Sequence, residues 1–206
     1  MKHGFALFVF SFFTMAQAAA QNNNLEKATS GEELPYYQIP SYPETYTPGT
    51  VAARMIDALG FRYYWATEGL REEDLKFRPN AQARSSMETL DHIHGLSKVI
   101  VNASDQKTNE PGPDEKHLTF EQKRAKTLQN FKRASDLLKA HGGHEVEDFK
   151  IVYGSGEKTT EFPFWNLING PIADAIWHVG QVVSFRRSSG NPFNSKVSVF
   201  HGKLTE

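Results

Sequence analysis

The stretch PIADAIWHVGQVVSFRR, from Pro171 to Arg187, predicts a helix that is apolar on nearly every side. Such a helix is typical of the packed interior of a helical domain. Pro171 fits its first turn, where a missing N–H does no harm. Asp174 and His178 are four residues apart and therefore lie on one helical face. Because a buried carboxylate or imidazole is costly unless it is paired or bound to a metal, these two residues are the first functional candidates.

Three more stretches show the helical spacing of apolar residues and carry suitable caps. Thr50 is predicted to cap the first helix. Ser85 is predicted to cap the second, with Glu88 completing a capping box. The four predicted helices cover residues 50–69, 85–101, 119–141 and 171–187. Helices of this number and length predict an all-α fold, a four-helix bundle.

Two segments lie outside these helices. Residues 21–49 are polar and rich in Pro and Tyr, and we expect an extended arm that lies on the domain through its aromatic side chains, or else a flexible linker. The stretch FKIVYGSGEKTTEF, residues 149–162, has two β-prone runs around Gly154-Ser155-Gly156 and predicts a small hairpin before the last helix. The bundle domain is expected to span residues 50–206.

Residues 1–20 have the three-part pattern of a secretory signal peptide. Lys2 and His3 precede the apolar run GFALFVFSFF, and small residues follow in MAQAAA. A membrane span needs about 20 apolar residues, so the pattern favours cleavage near Ala18 or Ala20 over an uncleaved anchor. It predicts export to the periplasm or to the outside of the cell, with no membrane attachment after cleavage.

Composition excludes several kinds of site. The formal net charge is −1, from 23 Lys and Arg against 24 Asp and Glu, and no basic stripe favours nucleic acid. The chain has no cysteine, which excludes a thiol nucleophile and thiolate metal ligands. No Glu-x-x-His pair, phosphate-binding loop or dinucleotide fingerprint occurs either. A metal site would therefore use His, Asp, Glu or water.

Two histidines occur in the helix predicted for residues 85–101. His92 and His94 lie about 200° apart on a helical wheel and cannot point to one site. His92 has the more apolar neighbours at helical spacing and is predicted to face the interior, whereas His94 is predicted to face the wetter side. For Asp174 and His178, spacing alone leaves both a metal clamp and a simple His–Asp hydrogen bond open.

Two tryptophans and two arginines are predicted to have structural roles rather than functional ones. Trp165 and Trp177 are expected in the core as packing aromatics. Arg186 and Arg187 are expected at a solvated helix C-terminus, where positive charge complements the helix dipole.

Two motifs resemble those of the DinB-like superfamily, bacterial four-helix-bundle proteins regarded as metalloproteins. One is RSSMETLDHI, residues 84–93, in which a small residue is followed six positions later by His92. The other is HVGQVVSFRRSSGNP, residues 178–192, which is similar to the family's His-x-Gly-Gln run. The resemblance extends from about Thr50 to Asn194 and implies the same bundle fold.

The resemblance also implies a set of metal ligands. His92 and His178 match two of them, and the third, usually His in the family, is Asp174 in this chain. The implied site has two histidines and one carboxylate and suits a divalent ion such as Zn, Ni, Fe or Mn. Gln181, one turn beyond His178, is expected to support the ligands. Alternatively the metal has been lost, and Asp174 only holds His178 in one tautomer.

Three functions follow from this sequence. The first is a metal-dependent enzyme, a hydrolase or transferase, that acts on a small-molecule substrate. The second is a non-catalytic exported bundle, a stress or binding protein that has lost the metal. The third is an interaction protein that acts through the Tyr- and Pro-rich arm at residues 33–48. The resemblance further implies a homodimer.

Overall fold

The computed structural model describes residues 33–112, 114–140 and 146–206. The predicted signal peptide, residues 1–20, and the first part of the predicted arm lie outside the described residues. The same holds for His141, the last residue of the third predicted helix. Among the helices that the structure describes, none has the length and apolar character needed to cross a bilayer.

Helices make up most of the described chain, and the prediction of a mainly α fold is confirmed. The helices are α1 (Pro48–Thr67), α2 (Glu72–Lys76), α3 (Ser86–Ser104), α4 (Phe120–Ala140), α5 (Phe164–Leu167) and α6 (Ala173–Ser188). A single π-helical turn, Ile168–Ile172, joins α5 to α6, and a short 3₁₀ turn covers Val146–Asp148.

The four long helices pack as neighbours around a shared apolar core. Helix α1 contacts α4 and α6, and α3 contacts the same two helices. Fully buried side chains from these helices fill the centre, among them Ile56, Leu59, Ile93, Ile100, Leu128, Phe131 and Leu138. Because α3 and α6 lie side by side, polar residues on their facing sides can meet.

Local capping chemistry sets where the helices begin. The capping box predicted for α3 is confirmed: the Glu88 N–H donates to Ser85 Oγ at 3.2 Å, and the Ser85 N–H donates to Glu88 Oε2 at 2.7 Å. The cap predicted for α1 is wrong by one turn. Thr47 is the cap, and Thr50 is its partner inside the helix, accepting from the Thr47 N–H at 2.8 Å. Pro48 then occupies the first turn, where its missing N–H costs nothing.

The last helical run begins earlier than predicted. Helical structure is already present from Phe164, and Pro171 lies inside the π-helical turn rather than at a helix start. Proline removes a hydrogen-bond donor and clashes with the preceding turn of an α-helix. A wider π-helical turn accommodates both the missing donor and the proline ring. Such turns are frequent at functional sites. Asp174 follows this turn directly.

The composition of α6 predicts burial on nearly every side, and this prediction is wrong. The helix buries one stripe, Ala175, Val179, Val182 and Arg186. Trp177 is 72% exposed, and so is Trp165, so the prediction of two core tryptophans is wrong. The other side of α6 lacks a covering helix among the described residues, since α1 and α3 are the long helices that contact it.

The predicted hairpin is confirmed. Strand β2 (Ile151–Ser155) pairs antiparallel with β3 (Lys158–Phe162), and the two-residue β1 (Thr108–Asn109) pairs parallel with β2. The turn lies later than predicted, at Gly156, because Gly154 belongs to β2. A second antiparallel pair, β4 (Val197–Ser198) with β5 (Lys203–Leu204), was not predicted.

The described part of the arm packs against α1. Tyr36 is buried, and its hydroxyl donates to Asp57 Oδ1 at 3.0 Å. The indole N–H of Trp65 donates to the Tyr37 carbonyl at 3.1 Å, and the Ile39 N–H donates to the Gly202 carbonyl at 2.8 Å. Of the two interpretations, an arm that lies on the domain through its aromatic side chains therefore fits residues 35–39.

Candidate metal centre

Helices α3 and α6 bring three predicted site residues together. His92 projects from α3, and Asp174 and His178 project from successive turns of α6. His92 Nε2 lies 3.0 Å from Asp174 Oδ2. His178 Nε2 lies 3.3 Å from Asp174 Oδ1. One ligand atom of each residue lies within 4.8 Å of those of the other two.

These separations fit a small metal ion. Ligand atoms bound tetrahedrally at about 2.0–2.2 Å lie about 3.3–3.6 Å from one another. The distances from the two histidines to Asp174 are within a few tenths of an ångström of that range but end on its two different oxygens, and the set of one ligand atom per residue spans up to 4.8 Å. The imidazoles of His92 and His178 are nearly perpendicular, at 87°, with ring centroids 4.8 Å apart. Both rings place Nε2 next to the carboxylate, and the three side chains would have to close by up to about an ångström to surround one ion.

The site is open to solvent on one side. The His178 side chain is 13% exposed, that of His92 is 34% exposed, and that of Asp174 is 41% exposed. A structural zinc site is closed by four protein ligands, whereas a catalytic site has three and leaves a position for water. If these three residues hold an ion, their number and exposure fit the second type.

Gln181 contacts His178 from the next turn of α6. Its side-chain oxygen lies 2.9 Å from His178 Nδ1, the ring nitrogen that faces away from Asp174. Metal-binding histidines commonly donate their second ring N–H to an oxygen in this way. The predicted supporting position of Gln181 agrees with this contact.

The two histidines of α3 differ from the prediction in their burial. His94 is 5% exposed, and His92 lies at the partly exposed site. His94 Nδ1 lies 2.9 Å from the Thr127 hydroxyl, and its Nε2 lies 3.1 Å from Glu115 Oε2. The helical wheel predicted the wrong burial for His92 and His94 because it included only neighbours along α3, whereas α4 covers His94. Burial lowers the pKa of His94.

Glu115 belongs to this second network, not to the metal site. Burial alone would raise its pKa, but hydrogen bonds from Lys98, Lys126 and His94 outweigh that effect and lower the pKa to about 2. The network fastens the loop before α4 onto α3 and α4. Sequence reasoning missed it because its members are separated by up to 33 residues and form no motif.

Arg186 is also misplaced by the sequence prediction. It is buried, not solvated, and Arg187 beside it is exposed. Its guanidinium donates to backbone carbonyls at the end of α1, which joins α6 to α1. Its role is therefore to hold the helix that carries Asp174 and His178.

No protein-family model, curated protein or solved structure matches the chain. The DinB-like resemblance thus stays a prediction that rests on the two quoted motifs.

Proposed function

We propose that the protein is an exported DinB-like metalloprotein in which His92, Asp174 and His178 hold one divalent ion. The supporting observation is that ligand atoms of these three residues, from two helices, lie within 4.8 Å of one another. The mutual contacts of α1, α3, α4 and α6 support the four-helix-bundle part of this proposal. Two imidazoles and a carboxylate suit Zn, Ni, Fe or Mn.

The chemistry that fits this ligand set is that of a metal-dependent hydrolase or transferase. When bound, a divalent ion in such a site lowers the pKa of a water molecule or polarises a substrate oxygen. Asp174 contributes one negative charge and two oxygens, so one oxygen can bind the ion while the other accepts a hydrogen bond. The exposed side of His92 and Asp174 gives a small-molecule substrate access to the site.

A non-catalytic stress or binding protein is the second candidate. Asp174 already lies at hydrogen-bonding or ion-pair distance from both imidazoles. Polar groups that satisfy one another need no ion to be stable in a half-buried site. In this case Asp174 only positions the two histidines.

Metal analysis of the natively purified, unchelated protein separates the two candidates. The metalloprotein should carry about one equivalent of a transition metal per chain, and its metal should be lost in His92→Ala, Asp174→Ala and His178→Ala variants that retain their helical circular dichroism. The matched control is His117→Ala, which removes an exposed histidine outside the site. A metal content below about a tenth of an equivalent, together with no zinc uptake after addition, would favour the non-catalytic protein.

A further inference from the structure

The two ring nitrogens of His178 face chemically different groups. Nδ1 lies 2.9 Å from Gln181 Oε1, and Nε2 lies 3.3 Å from Asp174 Oδ1. An amide oxygen can only accept a hydrogen bond, so Nδ1 must carry the hydrogen. In a neutral imidazole the other nitrogen then has a free lone pair. Nε2 of His178 therefore has a lone pair directed at the site.

His92 has the opposite arrangement. Its Nε2 lies 3.0 Å from Asp174 Oδ2, and a carboxylate oxygen can only accept, so the hydrogen of neutral His92 belongs on Nε2. Among the described residues its Nδ1 has no hydrogen-bond partner, so none of these residues favours the other tautomer. The two histidines of the site thus have their hydrogens on different ring nitrogens.

This difference leaves one unfavourable contact. In the neutral ring with its hydrogen on Nδ1, the lone pair of His178 Nε2 faces the negative Oδ1 of Asp174 at 3.3 Å, whereas a ring that is protonated on both nitrogens forms an ion pair there. Two acceptors at this distance repel each other, and a cation placed between them turns the repulsion into two attractive contacts. Because Gln181 keeps the hydrogen on Nδ1, a positive charge between His178 Nε2 and Asp174 Oδ1 would stabilise this contact.

We propose that Gln181 is a positioning residue that holds His178 with its hydrogen on Nδ1 and so presents the Nε2 lone pair to a divalent cation. His178 is then ready to bind without a change of tautomer. Neutral His92 instead gives up its Nε2 hydrogen to water and takes one on Nδ1 when the cation binds, so its net charge is unchanged. Because the cation is that of the proposed metal centre, this role rests on the proposed function.

The tautomers can be measured without any metal. In chelator-treated, ¹⁵N-labelled protein at a pH about two units above the ordinary imidazole pKa of about 6.5, two-bond ¹⁵N–¹H correlation spectra distinguish Nδ1–H from Nε2–H rings. We expect Nδ1–H for His178 and Nε2–H for His92, each assigned by its alanine variant. An Nε2–H ring at His178 in the unaltered protein would overturn the proposal.

Two substitutions at one position isolate the part played by Gln181. Gln181→Met removes the acceptor at similar side-chain length, so His178 should change to Nε2–H and donate to Asp174. Gln181→Glu keeps an acceptor and should keep the Nδ1–H ring, which also shows that the position tolerates change. Gln129→Met is the matched control, because Gln129 is an exposed residue of α4. An unchanged His178 tautomer in Gln181→Met contradicts the proposal.

Zinc titration completes the test. Loss of a group that orients a metal ligand lowers metal affinity by about 10- to 100-fold, and we expect this loss in Gln181→Met but not in Gln181→Glu or Gln129→Met. Equal zinc affinity in Gln181→Met and the unaltered protein would refute the positioning role and leave the metal centre intact. Absence of zinc binding in the unaltered protein would refute the proposed function, while the tautomer spectra would still decide whether Gln181 fixes His178.

Discussion

Arg186 is a buried arginine whose guanidinium is surrounded by acceptors. Its Nη1 donates to the carbonyls of Trp65, Ala66 and Glu68 at 3.0–3.1 Å, and its Nε donates to the Asn191 carbonyl at 2.9 Å. The last carbonyls of a helix have no donors within the helix. One side chain of α6 thus satisfies the end of α1, and burial lowers its pKa without removing its charge.

Arg186→Lys should lower the free energy of unfolding by about 3 kcal/mol, because a single ammonium cannot replace the planar fork of donors and leaves buried carbonyls unpaired. Arg187→Lys makes the same change at the adjacent exposed position and should alter it by less than about 0.5 kcal/mol. Urea unfolding curves measure both. Equal effects of the two substitutions would show that burial of Arg186 has no energetic importance.

Glu115 makes stability depend on pH in a defined window. Burial raises its pKa, but the bonds from Lys98, Lys126 and His94 dominate, and the pKa falls from 4.5 to about 2 on folding. A carboxyl with a lowered pKa stabilises the fold fully above its unfolded value. That contribution is lost as the pH falls from about 4.5 through about 2.

Glu115→Gln should therefore remove on the order of 2 kcal/mol of unfolding free energy at neutral pH and little of it near pH 2. Stability of the variant should vary less steeply with pH between these limits than that of the unaltered protein. Glu121→Gln, at an exposed position of α4, is the control and should leave the pH profile unchanged. Parallel profiles for Glu115→Gln and the unaltered protein would be inconsistent with the assigned network.

At the scale of the elements, glycines show where a helix is covered and where it is open. A Cβ built on Gly60 of α1 lies 2.5 Å from the ring of Tyr36, so the arm can approach only because this residue has no side chain. A Cβ built on Gly95 of α3 meets no atom within 4 Å. Both glycines lie within a helix, but Gly60 packs against Tyr36 whereas the side-chain position of Gly95 is open.

Gly60→Ala and Gly95→Ala should consequently change stability in opposite directions. Alanine gains about 0.5–1 kcal/mol over glycine in a helix, which Gly95→Ala should realise. In Gly60→Ala the clash with Tyr36 should outweigh this gain and cost about 1–3 kcal/mol. Thermal unfolding of both variants provides the comparison. A stabilised Gly60→Ala protein would mean that Tyr36 leaves its position at little cost.

Across the whole molecule, the proposed metal centre joins two helices that are distant along the chain. His92 and Asp174 are separated by 82 residues, so an ion held by both would bind the folded chain and not the unfolded one. Metal binding and global stability should therefore be linked. Stabilisation by the direct contacts between α3 and α6 would not change when a chelator is added.

Addition of zinc at about 100 times its dissociation constant should raise the free energy of unfolding by about 2.7 kcal/mol, and a chelator should reverse the rise. Asp174→Ala should abolish it, and His117→Ala should retain it. The melting temperature by calorimetry or circular dichroism, measured with and without zinc, is the readout. A zinc-induced shift of equal size in Asp174→Ala would locate binding elsewhere in the protein.

Features that depend on neighbours along the chain were predictable. The Ser85 capping box and the hairpin of residues 149–162 need only local residue types, and both are confirmed. Asp174 and His178 share a face because an α-helix repeats every 3.6 residues. The errors occur where another element intervenes, as at His94, Trp177 and Arg186.

Residue order along the chain thus indicated the approximate positions of the four long helices and the shared face of Asp174 and His178, because hydrogen bonds and side-chain spacing within a helix act over a few residues. Packing between helices fixed which histidine of α3 reaches that face, and it made His94 the buried one. Burial depends on the partner surface that each side chain meets, and residues 82 positions apart acquire that partner only when α3 and α6 come together.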